Sequence, residues 1–409
     1  MRVLYFTVVP LAANSNGGSI CCRNHVARLA ADTGIELTAM VAGPPEDRDA
    51  TETFFAALGV RCHFQPFRGG QFHPEGSAFA SVAAFAAKAL FHFPWELQAL
   101  NQPHIQEGID WAIKGYTIDT LVIDYHSSTL FLRLPRNDVR TVLIGLNREG
   151  DFYADMIRLG LTHHVPLTAG ISLRRARRFE RRIDASVDKV VTIGPPDLPR
   201  HRLRAPAACI TPYLDPKPER WRCTDPSRVF FVGNIAHYPN RLAIEWLTRR
   251  FAPVLLELDG RVRISIVGAT ASDVDAAHRH ANIDFLGTAD ASTLTGLFLG
   301  AGLMLCPIEN DYGVKFKAVE ALSYGTPLLA SRQTLLGLPH LSGIPMFDLD
   351  RPDEAAALVR DLALDPGRLV ALGALQQRQQ AAFIATQGDI WSRTIAPPGG
   401  RRGERLQVP

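Results

Sequence analysis

Several landmarks are missing from this sequence, and each absence removes a class of function. No segment reaches the ~18 uninterrupted apolar residues of a membrane span; the nearest, residues 78–93, is broken by Lys88 and His92. The run from Met1 to Pro10 is too short and too early for a signal-peptide core and reads as a first buried strand. Six cysteines (Cys21, Cys22, Cys62, Cys209, Cys223 and Cys306) contain no C-x-x-C pair. Zinc-site and redox spacings are therefore absent, and the expectation is reduced thiols in a cytoplasmic protein. A formal net charge of +3 on 409 residues gives no case for a nucleic-acid partner.

The first strand is followed by Ala12-Ala13-Asn14-Ser15-Asn16-Gly17-Gly18-Ser19, not by the G-x-G-x-x-G of dinucleotide folds. The G-x-x-x-x-G-K-[ST], H-E-x-x-H and G-x-S-x-G patterns are missing too. That weakens P-loop NTPase, zinc protease and α/β-hydrolase readings. Two D-x-D triplets exist, Asp273-Val274-Asp275 and Asp348-Leu349-Asp350. Carboxylates so spaced can hold a divalent ion on a diphosphate, but one pair sits near a helix start and the other follows the last strand. Both read as structural, and no metal ligands are assigned. His163, His164, His278 and His280 read as surface residues.

What the sequence does contain is a long alternation of short apolar runs with helical stretches, the signature of parallel βαβ units. In the first half the runs are 3–9, 36–41, 61–65, 120–124, 141–145, 189–193 and 208–211, with helices over 19–31 and 77–93. A second series runs through 229–233, 262–267, 283–286, 303–306, 327–330 and 345–347. Between them the prolines and charges of 211–220 mark a linker. The expected fold class is α/β: two doubly wound, Rossmann-like domains facing each other across a cleft, with ligands beyond the carboxyl ends of the strands. The expected divisions are 1–212, 213–372, a C-terminal helix over 373–395 packing back on the first domain, and a disordered tail over 396–409.

The most informative segment is 307–327. The apolar strand 303–306 leads into a loop containing Gly313, and a helix then opens with Lys315 and Lys317. Free N–H groups at a helix start, with lysines beside them, suit a phosphate or diphosphate. Glu320, one turn beyond Lys317 and on nearly the same face, can accept hydrogen bonds from vicinal hydroxyls such as a ribose offers. The same residues also fit an ordinary amphipathic helix, with Val314, Ala318, Ala321 and Leu322 as its apolar stripe.

Read in order, the motifs resemble glycosyltransferase family 4, which has the two-domain GT-B fold, and within it bacterial sugar transferases of cell-surface polysaccharide pathways. The likeness spans nearly the whole chain. It is carried by Phe231-Val232-Gly233 with Tyr238-Pro239-Asn240, Ala243, Trp246 and Pro253, by Val267-Gly268, and by Phe285-Leu286-Gly287 with Leu294. Gly313, Lys317, Glu320-Ala321, Gly325 and Pro327 form its most specific block. In the first half Gly17-Gly18 fit the family's opening loop. Asn147-Arg148-Glu149 is similar to its H-N-x-E segment, with Glu180, Asp188 and Asp197 following in order.

The resemblance implies that the second domain binds a nucleotide-diphospho-sugar donor and the first a glycan or lipid-linked acceptor. It implies transfer with retention of anomeric configuration, with no catalytic metal and no cofactor besides the donor. Lys317, with Lys315 and the backbone of Gly313, Val314 and Phe316, would hold the diphosphate. Glu320 would hold the ribose, and Gly287 and Thr288 would line the base. Two departures stand out. Tyr312 occupies the place of a glutamate that grips the donor sugar, and Leu146 stands where the H-N-x-E segment begins.

Five further expectations come from the residues themselves. Asp124 and His126, at a strand's carboxyl end, can orient a hydroxyl, or His126 simply caps the next helix. Gly17 and Gly18 either admit a ligand close to the backbone or make a turn, and Asn147 and Glu149 either face the acceptor or shape a turn. Gly233 and His237 are placed near the donor. The arginine-rich run 173–183, with Ala176, Phe179 and Ile183 as its buried stripe, is either a solvated face or a surface for anionic lipid at the inner face of a membrane. Competing functions are a nucleotide-sugar epimerase of this architecture and a non-catalytic nucleotide-sugar sensor or inactive partner subunit.

Overall fold

The computed structural model describes residues 1–11, 17–66, 102–160, 166–198 and 205–397. The loop 12–16, the helix expected over 77–93, His163, His164 and the tail from residue 398 lie outside the described residues. The chain divides into two compact units. One is Met1–Thr192, Pro199–Ile210 and Asp389–Pro409; the other is Ile193–Leu198 and Thr211–Gly388.

The first unit is built on strands β1 (Arg2–Thr7), β2 (Glu36–Gly43), β3 (Arg61–Pro66), β4 (Thr120–Asp124), β5 (Arg140–Gly145), β6 (Lys189–Thr192) and β7 (Ala207–Cys209). They form one parallel sheet in the order β3-β2-β1-β4-β5-β6-β7. Helices cover its faces, so the strands are apolar runs such as Leu121-Val122-Ile123, not alternating ones. Leu4, Phe6, Leu121, Ile123 and Leu143 pack on Ile105 and Ile109 of the helix Pro103–Gly115 and on Phe179 and Ile183 of the helix Pro166–Asp184.

The second unit holds β8 (Asp225–Val232), β9 (Arg263–Val267), β10 (Ile283–Gly287), β11 (Ala301–Cys306), β12 (Leu328–Ser331) and β13 (Met346–Phe347). This sheet is also parallel, in the order β10-β9-β8-β11-β12-β13. In each sheet the winding reverses at one place, between β1 and β4 and between β8 and β11. Helices leave in opposite directions there, so a crevice opens beyond the carboxyl ends of those two strands. In the second unit these ends are Val232-Gly233 and Cys306.

The C-terminus differs from expectation. Instead of one helix over 373–395 there are two, Pro366–Ala385 in the second unit and Ile390–Ile395 in the first. The break follows Thr386, whose hydroxyl turns back to donate to the Phe383 carbonyl at 2.7 Å, with Gly388 just beyond. The short helix is tied to the first unit by Ser392 N–H to Asp32 (2.8 Å), by Lys189 Nζ to the Thr394 carbonyl (2.6 Å) and by Arg140 Nε to the Ile395 carbonyl (3.1 Å). All six cysteines are free thiols. Among the described residues no helix is long and apolar enough to cross a membrane.

Candidate functional site

The switch point of the second sheet gathers most of the residues named for the donor. The helix Phe316–Tyr324 follows β11 and ends at Gly325, whose left-handed backbone (φ 79°) suits glycine. Phe316, Ala318, Val319, Ala321 and Leu322 are buried, which leaves Lys317 and Glu320 together on the half-buried face.

Lys317 turns back toward β8. Its ammonium donates to the Asn240 side-chain oxygen at 2.5 Å and lies 4.3 Å from the centre of the buried Phe231 ring. Gly233 makes this seat feasible, because a Cβ there would stand 2.6 Å from Lys317 Nζ and 2.6 Å from Asn240 Cγ. Behind it, Gly268 has φ 97°, and a Cβ on it would lie 2.4 Å from the Gly233 carbonyl oxygen. Only glycine satisfies both demands.

Burial pulls the Lys317 ammonium down to about 8, with Lys315 adding to the shift and Cys306 opposing it. Lys315 precedes the first helical residue, and its ammonium donates to the Tyr312 carbonyl at 2.5 Å. His237 stands immediately before the helix Tyr238–Trp246, and its backbone carbonyl accepts the Asn240 N–H at 2.9 Å. Desolvation, then the charges of Lys317 and Lys315, push its imidazole down to about 4, so it is neutral at pH 7. Glu320 is half-buried, and burial raises its carboxyl while Lys217 opposes. Among the described residues nothing hydrogen-bonds that carboxylate.

The loop before the helix differs from the simplest picture of a row of open amides. Gly313 (φ 65°) donates its N–H to both carboxylate oxygens of buried Asp197, each at 3.0 Å. This amide is therefore engaged within the protein. Val314 and Phe316 are buried, and the Tyr312 hydroxyl meets the Tyr238 hydroxyl. Gly287, at the end of β10, has φ 60° and exchanges backbone hydrogen bonds with the Gly268-Ala269 turn (2.7 and 3.0 Å); Thr288 beside it is exposed.

In the first unit the named residues separate into two groups. Asp124 is fully buried, with Oδ2 accepting from Tyr5 (2.6 Å) and paired with His25 Nδ1 (2.8 Å). It anchors that unit's interior. His126 lies beyond β4 over Gly145, where a Cβ would stand 3.2 Å from the ring. Its Nε2 meets Asp184 at 3.1 Å, and Nδ1 has no partner among the described residues. Burial lowers this imidazole, but the Asp184 hydrogen bond and the charges of Asp184, Glu149 and Glu180 outweigh it and bring it to about 9. Glu180 also receives the N–H groups of Glu149 (3.0 Å) and Gly150 (3.2 Å), which cap the helix Glu149–Arg158. Asn147 is half-buried just before it, and Gly17 and Gly18 open the helix Gly17–Ala31.

The acidic triplets have local duties. Asp273 caps Thr270 (2.7 Å to its N–H) and Asp348 accepts the Asp350 N–H (2.9 Å), while Asp275 and Asp350 face Arg249 and Arg250. Among the described residues no three His, Cys, Asp or Glu side chains gather as for a metal ion. Sequence reasoning passed over Asn240 and Phe231 as site residues. Both stand in the quoted motif 231–240, but only the fold turns them toward Lys317.

Residues 226–365 match the family model described as glycosyl transferases group 1. No curated protein matches the chain as a sequence. Among solved structures, an S. aureus TarM mutant in complex with Fondaparinux, alpha-GlcNAc-glycerol and UDP aligns with a TM-score of 0.66 at 7% identity, over 97% of this chain and 100% of that one. Sucrose-phosphate synthase from Thermosynechococcus elongatus gives 0.64 at 14%, over 96% and 98%. Another TarM structure gives 0.52 at 9%, covering 68% of this chain and 55% of that longer one. Identities this low speak for the fold, and the fold is GT-B.

Proposed function

With a group 1 glycosyl transferase domain over residues 226–365 as premise, we propose that this protein moves a sugar from a nucleotide-diphospho-sugar to a glycan or lipid-linked acceptor, with retention of anomeric configuration. One observation carries the reading. Next to the switch point between β8 and β11, Lys315 and Lys317 stand at the start of the helix that follows β11, with half-buried Glu320 one helical turn further along the same face as Lys317. Lys317 and Lys315 suit the diphosphate, and Glu320 suits a ribose. The UDP bound in the TarM structure is in keeping with such a donor.

The chemistry follows from where charge develops. As the glycosidic bond breaks, negative charge grows on the leaving diphosphate, and cations already in place stabilise that state more than the ground state. Removing one such group raises the barrier by roughly 3 kcal/mol, on the order of a hundredfold in rate. Attack from the side of the leaving group lets a donor phosphate oxygen take the acceptor's proton, so no separate base is required. The lysines supply the positive charge in this scheme, and it assigns no role to a metal or added cofactor. His126, with Nε2 held by Asp184, is assigned to orienting a substrate hydroxyl; Gly17, Gly18, Asn147 and Glu149 are assigned to the acceptor. The arginine-rich helix Pro166–Asp184 buries Ala176, Phe179 and Ile183 and exposes Arg174, Arg178, Arg181 and Arg182, a face suited to anionic lipid.

The test is a coupled assay for released nucleoside diphosphate with UDP-, GDP- and dTDP-sugars, with and without acceptors. Acceptor-dependent release is the expected result. Isomerised donor without release would make the protein an epimerase, and binding alone would make it a sensor.

A further inference from the structure

We propose that Asn240 is the positioning residue of the site: its side-chain oxygen, aimed by its own anchored amide, holds the Lys317 ammonium over Phe231 and against Gly233 before any anion arrives. The inference rests on the donor reading above for its purpose, though not for its geometry.

Three observations define the seat. The Asn240 amide nitrogen donates to the Asn234 carbonyl at 2.9 Å, which fixes the side-chain oxygen on the opposite side, toward Lys317 at 2.5 Å. An amide flip would place two donors against each other, so the pair of contacts selects one orientation. The Asn240 backbone N–H donates to the His237 carbonyl at 2.9 Å, tying the residue to the same turn. Finally, Gly233 supplies the space and Phe231 an aromatic face 4.3 Å from the ammonium.

The arrangement solves a specific problem. A lysine has four rotatable carbons and three N–H donors, and left alone it would spread over many positions. Here one donor is engaged by Asn240 and one side of the ammonium is covered by Phe231, which leaves the remaining donors for an anion. The neutral amide is suited to this task. A carboxylate at position 240 would compete with the phosphates for the same ammonium, while an apolar side chain would leave it unheld. Among the described residues, Lys315 and the Cys306 thiol act on the Lys317 charge and His237 feels it in turn, while the Glu320 carboxylate lies one helical turn further along the same face. The residues that follow β8 thus contribute aim, and those that follow β11 contribute charge.

The experiment follows the Lys317 ammonium directly. Protein labelled with 13C at lysine Cε is titrated by NMR as wild type, Asn240→Ala and Asn240→Asp, with the Lys317 signal identified by its loss in Lys317→Arg. Thermal melting of each variant confirms folding. Asn240→Asp is expected to raise the midpoint from about 8 by on the order of one pH unit, because a full charge replaces a dipole. Asn240→Ala is expected to lower it, and to weaken UDP, GDP or dTDP binding roughly tenfold in calorimetry, as loss of one aimed cationic contact implies. A midpoint unmoved in both folded variants overturns the proposal. If the midpoint moves while wild type binds no nucleoside diphosphate, the positioning role stands and the donor reading falls.

Discussion

The backbone N–H of Gly313 donates to both carboxylate oxygens of Asp197, at 3.0 Å each, so the loop that precedes the lysines is held by a residue 116 positions earlier in the chain. Asp197 lies in the turn Pro195–Asp197, which belongs with the second unit although its neighbours in sequence belong with the first. From the other side, Gly337 approaches so closely that a Cβ on it would stand 3.0 Å from the Gly313 carbonyl oxygen. The loop is braced before a ligand binds.

Asp197→Ala leaves a buried N–H without its acceptor and is expected to cost about 1–3 kcal/mol. Asp197→Asn keeps one acceptor oxygen and should cost less. Urea unfolding of the three proteins measures the order, and equal stability of all three would contradict the brace.

Lys317 sets an alkaline limit on activity. Its ammonium falls from 10.5 to about 8 on folding, so kcat/KM should decline above that pH as the free enzyme loses the proton. Stability should move the other way. Between about 8 and 10.5 the unfolded chain holds the extra proton, and this group's contribution to stability grows as pH rises. Lys317→Ala should remain folded, lose on the order of a hundredfold in turnover and lose both pH effects, as rate profiles and urea unfolding at pH 8 and 10 would show.

Gly233→Ala separates activity from folding. The new Cβ would meet the flexible ends of Lys317 and Asn240, not backbone. The fold is expected to survive while turnover falls toward that of Lys317→Ala. Gly268→Ala, which meets the Gly233 backbone at 2.4 Å from a residue with φ 97°, is expected to lose stability as well. Thermal melts and initial rates of the two variants check the contrast.

His126 gives the first unit a pH signature of its own. Its imidazole is raised from 6.5 to about 9, so its contribution to stability is complete below pH 6.5 and fades as pH rises through about 9. The effect is on the order of 1–3 kcal/mol. His25, raised to about 10 beside Cys21 and Asp124, acts in an overlapping window. The difference between wild type and His126→Gln, measured by urea unfolding at pH 6 and pH 10, therefore isolates His126.

The strands were legible because parallel sheets covered on both faces need continuous apolar runs. The run 120–124 coincides with β4, and the others differ from the observed strands mainly at their ends. Lys317 and Glu320 were legible because helical spacing alone puts them on one face. Asn240 and Asp197 were not, since their roles depend on contacts 77 and 116 residues distant in the chain. Asp124 shows the converse limit. Its place at a strand end suggested a ligand-facing group, but Tyr5 and His25, from elements on the other side of the switch, take it into the interior.

The central claim is that an anionic leaving group docks where 313–317 turns into helix. A crystal structure with the nucleoside diphosphate chosen by thermal shift tests it most directly. The account predicts a phosphate oxygen within hydrogen-bonding distance of Lys317 Nζ, with the ribose hydroxyls on Glu320. A diphosphate bound elsewhere, with Lys317 still resting on Asn240 and facing no phosphate, would contradict it.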